Sequence, residues 1–284
     1  MEKEILSALI AAGTSIATVL IIKPFVDKHL LKFGLKQSHI FDQSKKVKEH
    51  IALHKGRLLQ SAELLNGRMK NFAKNYEERW LDVNGEYSKN KHYMDTTVYR
   101  FLSFFAQIQL IESKLIYVDT TISQKQDIRM LKYFRLFHEV MCDVELFDGF
   151  PYDKNIAKDH FFTTPFYNLS NNLIINDHVV NLDEFLEQKD KLLPKIVTVY
   201  MFFDAMNPNE ERLRCERMKI FHLVLIAFLN EYGYDYQKTD SCKLKLLKNR
   251  LGDYKLLGNF ENIVKKYKLN KNFGQFERII KIIR

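Results

Sequence analysis

Residues 5–22 read ILSALIAAGTSIATVLII, eighteen consecutive positions without a charge. As a helix this run spans roughly 27 Å at about 1.5 Å per residue, close to the hydrocarbon thickness of a bilayer. A helix on the surface of a soluble domain keeps a polar face, and this run has none. The sequence therefore predicts a membrane anchor over residues 1–24, closed by Lys23 and Pro24. The alternative is a first helix buried in its own core. The preceding MEKE holds two acids and one lysine, unlike the basic start of a cleaved signal, so the anchor is expected to stay attached. Lys23, Lys28, Lys32 and Lys36 follow the run, while Lys3 alone precedes it. That bias puts the N-terminus outside and the remaining chain in the cytoplasm. Ala8 and Ala12, and Gly13 and Ala17, set small residues four apart, a spacing that lets helices approach closely. A homo-oligomer packed through the membrane, with lipid as its other partner, is the expectation.

Beyond the anchor, ten glycines and five prolines in 284 residues are too few for a turn-dense β fold. The fold class predicted is mainly α, a transmembrane helix followed by an α-helical cytoplasmic domain. Residues 25–92 read as a helical stalk, with Val47, Ile51, Leu58, Leu59 and Leu65 at helical spacing and turns at Asn66-Gly67 and Asn84-Gly85. Residues 93–237 read as a helical core domain. Inside it, residues 155–181 allow a short strand or a loop, and helices resume at 182–193 and 196–206. A longer helix is expected from a cap at Asn207 to a stop at Gly233. Residues 238–284 read as short helices parted by Gly252, Gly258 and Gly274. Those 47 residues hold thirteen Lys and Arg against four acids, which accounts for the whole net charge of +9.

The longest apolar run of the second half begins with ERMKIFH, residues 216–222. Arg217 and His222 stand five apart, about 140° around an ideal helix, so they do not share a face. A histidine in such surroundings reads first as a hydrogen-bonded core residue. Yet the spacing resembles the R-x4-6-H motif of HEPN ribonucleases, all-α domains in which an Arg and a His assist attack by the RNA 2′-hydroxyl across a dimer. The resemblance implies that Arg217 and His222 are catalytic and that RNA is a partner. Met218 stands where that family usually carries a polar residue.

Other chemistry finds little support. Cys142, Cys215 and Cys242 lack metal or redox spacing and fit a reducing compartment. His50 and His54 lie four apart without a third ligand, and Asp143, Glu145, Asp148 and Asp153 read as an acidic turn. No phosphate-binding glycine loop or nucleophile elbow occurs, so neither a cofactor nor a metal is expected. In the basic tail, Lys243, Lys245, Lys248, Arg250, Lys265, Lys266 and Lys268 alternate with aromatic residues. They are the candidates for nucleic-acid or lipid phosphates, with a solvated helix face as the plain alternative.

The layout of one N-terminal membrane helix before a helical domain, with the Arg217 and His222 element, resembles bacterial abortive-infection and phage-defence proteins. Membrane accessory proteins of CRISPR systems share that arrangement. The resemblance implies an oligomeric effector in the bacterial inner membrane that disturbs the membrane. A ribonuclease is the second reading, and a membrane-tethered scaffold acting through the basic tail is the third. The sequence identifies no protein partner.

Overall fold

The computed structural model describes residues 2–115, 125–270 and 274–284, apart from the side chains at positions 17, 21 and 22. It opens with a single unbroken helix from Glu2 to Glu78, long and apolar enough near its start to cross a membrane. Its parts are α1 (Glu2–Ala17), a π-helical turn (Thr18–Ile22), α2 (Lys23–Asn75) and a 3-10 turn (Tyr76–Glu78). At about 1.5 Å per residue these 77 residues extend over roughly 115 Å. The π turn ends two residues before Pro24, whose ring in a regular α-helix would collide with the carbonyl four residues back at Leu20. Widening by one residue relieves that collision, so the helix continues instead of breaking. Arg79, in the left-handed region at φ 54°, ends it.

Along α2 the surroundings change. Phe25, Leu30, Leu31, Phe33 and Leu35 are exposed, whereas from Val47 onward one face is buried. Val47, Ile51, Leu58, Ala62, Leu65, Met69 and Phe72 follow the helical period and belong to the main core. The expected stalk of residues 25–92 is therefore corrected. Only its first part stands free, and residues 47–75 are a core helix of the domain. The turn expected at Asn66-Gly67 is also absent. Asn66 is buried in mid-helix, where tertiary packing outweighs the local turn preference. Asn84-Gly85 does turn, with φ of 52° and 79° and a Glu86 N–H bonded to Val83 O.

The domain folds around α8 (Arg214–Tyr232), which packs on α2, α4 (Lys125–Cys142) and α11 (Gln275–Ile283). Beside it, α3 (His92–Leu115) lies along α2 and brings Phe101, Phe104 and Phe105 against Phe137, Phe166 and Phe221. Edge-to-face contacts such as Phe104 to Phe137, 4.8 Å between centroids, add to the area that these rings bury. α5 (Thr163–Asn171) leads to a hairpin of β1 (Ile174–Ile175) and β2 (His178–Val179), the short strand that the sequence allowed. α6 (Leu182–Glu187) starts at a capping box of Asn181 and Glu184, and α7 (Lys189–Phe203) follows directly. The break thus falls at Gln188, not between 193 and 196. α8 begins at Arg214 and not at Asn207, whose Oδ1 instead accepts the Asn209 N–H in a preceding turn.

The C-terminal helices α9 (Ser241–Leu251), α10 (Leu257–Lys266) and α11 are part of the same core through Leu244, Leu247, Phe260, Ile263, Phe276 and Ile279. Gly252 and Gly274, at φ 67° and 55°, separate them as expected. Gly258 lies inside α10 and separates nothing.

Candidate functional site

α8 is buried almost along its whole length although it carries Arg214, Glu216, Arg217, Lys219 and His222. Each of these side chains meets a partner, and three of them close the ends of other helices. Arg214 donates to the carbonyls of Met201 (3.2 Å) and Phe202 (2.7 Å) at the end of α7, and pairs with Glu210. Arg217 donates to Val140 O and, at 2.8 Å, to Asp143 O at the end of α4, with its guanidinium 4.2 Å from the Phe147 ring centre. Lys219 donates to Leu251 O (3.2 Å) and Asp253 O at the end of α9 and pairs with Glu216, which accepts the Lys255 N–H. The last carbonyls of a helix lack intrahelical donors and carry the negative end of its dipole, so a buried cation satisfies both needs.

His222 faces another neighbour. Its Nε2 lies 2.9 Å from Asn66 Oδ1 on α2, an acceptor, so Nε2 carries the proton. Burial pulls the imidazole down to about 3, and it is neutral at pH 7. Arg217, fully buried, is pulled down to about 10 and keeps its charge. The pair expected to be catalytic is thus split between the end of α4 and the middle of α2, and neither side chain reaches solvent. No phosphate or 2′-hydroxyl can stand between them while α8 keeps its packing. The charges of ERMKIFH are accounted for by the helix ends that they hold.

The basic candidates divide between two helices. Lys243, Lys245, Lys248 and Arg250 lie on α9, which packs on α2 and α11. Lys265 and Lys266 end α10, with Lys268 just beyond it, and α10 packs against α4. Lys243 pairs with Asp240 and Lys266 with Glu139, while Lys245, Lys265 and Lys268 are exposed. In the anchor, Ala8, Ala12 and Gly13 are exposed along α1, and nothing lies within 4 Å of where a Gly13 side chain would begin. The Ala17 side chain falls outside the described residues. The hydroxyls of Ser7, Thr14 and Thr18, three of the four in the run, donate to carbonyls of their own helix and so are satisfied without water.

Among the described residues no three His, Cys, Asp or Glu side chains gather as metal ligands. The acidic turn is held by local bonds, Asp143 accepting from Glu145 N–H and Asp153 from Asn155 N–H. One feature carried no signal in the sequence. Trp80, the single tryptophan, is half exposed on the wall of a cavity where the long helix ends. No family model, curated protein or solved structure matches the chain.

Proposed function

We propose that the chain is a single-pass protein of the bacterial inner membrane, with its helical domain in the cytoplasm, and that it assembles there and disturbs the membrane in antiphage defence. One observation carries the reading: the uncharged run is a helix with none of its apolar window buried, continuous with a helix of the domain core. Apolar surface of that length needs a nonaqueous cover, and the lysines that follow it favour a cytoplasmic domain. The small residues on the anchor support packing between copies. The defence role rests on the resemblance in layout alone. The ribonuclease reading has the burial of Arg217 and His222 against it.

The test is induced expression with growth and membrane potential followed together, comparing the full chain, a chain lacking residues 1–24, and His222→Gln. Glutamine can keep a hydrogen bond to Asn66 while removing the imidazole. Depolarisation that needs the anchor and survives His222→Gln is the expected result. Growth arrest without depolarisation, lost in a folded His222→Gln protein, would overturn it in favour of catalysis.

A further inference from the structure

A cavity of about 270 Å³ opens where the long helix stops. One wall is aromatic. Trp80 is 46% exposed, and its ring lies 5.0 Å from that of Tyr93 at 56°. Tyr93 is fixed from behind, with the Arg68 guanidinium 3.9 Å from its ring centre and its own hydroxyl donating to Asn71 Oδ1. Trp80 therefore offers a free aromatic surface on a rigid support. Two residues of the lining, Arg79 and Ala205, hold left-handed backbone at φ 54° and 56° although neither is glycine. Such strain persists only where surrounding structure imposes it, and it gathers at ligand sites. Here the Ala205 N–H bond to Leu81 O, 3.0 Å, ties the two strands of the rim together.

The polar groups narrow the choice of guest. Asp82 is paired with Arg79 and Glu210 with Arg214, so the cavity presents no uncompensated acid to a cation. That counts against the ammonium guests that aromatic cages otherwise suit. Asn75 has its Nδ2 bonded to Asn71 O, and Asn207 has its Oδ1 bonded to the Asn209 N–H. What remains is an acceptor, Asn75 Oδ1, and a donor, Asn207 Nδ2, a pairing that matches the edge of a heterocycle. The volume, just under the usual range of roughly 300–1,000 Å³, suits one ring system and excludes a folded peptide. Arg79, which pairs with Asp82 through one guanidinium nitrogen, has a side chain 72% exposed at the rim and can share its remaining donors with a phosphate emerging there.

We propose that this cavity binds a nucleotide, its base stacked on Trp80 and its edge met by Asn75 and Asn207, with Arg79 toward the phosphate. The inference is independent of any membrane activity, since every group belongs to the domain. It bears on that activity all the same. Asn75 and Tyr76 belong to the last turns of the helix whose other end is the anchor, so the ligand touches the end of the rod.

Because Trp80 is the only tryptophan, its emission reports this cavity alone. The detergent-solubilised full chain is titrated with AMP, GMP, CMP and UMP, and with ribose 5-phosphate and choline as probes lacking a base. The expected result is a saturable change with at least one nucleotide and none with ribose 5-phosphate. By calorimetry Trp80→Ala should weaken binding roughly 5- to 150-fold, the range of one stacked base, and Trp80→Phe should keep most of it. Unchanged melting of both variants separates lost binding from lost folding. A short oligoribonucleotide that binds tighter than its mononucleotide makes RNA the source of the base; weaker binding makes it a free nucleotide. An equal response to ribose 5-phosphate, a preference for choline, or no saturation up to roughly 1 mM would overturn the proposal.

Discussion

The anchor run of residues 5–22 and helix α8 are both apolar over most of their length, yet none of the run's described side chains is buried, while α8 is enclosed on nearly every side. What separates them is how each handles charge. The anchor run has none, and the hydroxyls of Ser7, Thr14 and Thr18 turn back onto their own backbone, as a helix in hydrocarbon requires. α8 carries six acidic or basic residues, Arg214, Glu216, Arg217, Lys219, His222 and Glu231, because a protein interior built of helices is rich in carbonyls that lack donors. Charge inside this apolar helix goes with helix ends to close, and its absence over eighteen residues gives a helix long and apolar enough to cross a membrane.

The largest effect that could break this comparison is Arg217→Met, which keeps the volume and removes the donors to Val140 O and Asp143 O. Two buried carbonyls without donors should cost about 4 kcal/mol, read by urea denaturation of the solubilised chain. An unchanged midpoint would mean that α8 does not hold α4. Next comes Ile10→Lys in the anchor, expected to cost about 3 kcal/mol of membrane insertion and nothing in domain stability. Fractionation of cells should find that variant shifted out of the membrane with its domain melting unchanged. If instead the domain unfolds, the anchor was a core helix.

A smaller and more graded effect should come from pH. Burial lowers His222 to about 3 and His138 to about 4. Both are below the value of about 6.5 in the unfolded chain, so the unfolded state takes up protons first. Stability is complete above that pH and falls as pH drops through it, by roughly 1 kcal/mol per pH unit for each histidine until about pH 4. Melting temperatures measured from pH 8 to about pH 4 check the slope, and His222→Gln should remove about half of it.

The parts of this architecture that the sequence disclosed are those set by local pattern. The uncharged run, the helical period from Val47 to Leu65 and the turn at Asn84-Gly85 each depend on neighbours within a few positions. What it concealed depends on contacts between distant residues. Asn66-Gly67 reads as a turn until His222, 156 positions away, gives Asn66 a partner inside a helix. The spacing of Arg217 and His222 suggests chemistry until the ends of α4 and α2 account for each residue separately. Trp80 stands next to no motif, and its cavity exists only because residues 205–210 fold back to it.

The unbroken helix has one more consequence, which concerns angle. If the run spans a membrane as proposed, then with no joint between anchor and domain the heading of the domain about the membrane normal is set by the number of residues between them. Each residue removed from the free part of α2 turns the domain by about 100° and draws it about 1.5 Å toward the bilayer. Seven removed together return it to within about 20° of its starting heading. In the proposed assembly of copies this would make residues 25–46 a phase setting: their count, more than their identity, would decide which face of each domain meets its neighbour.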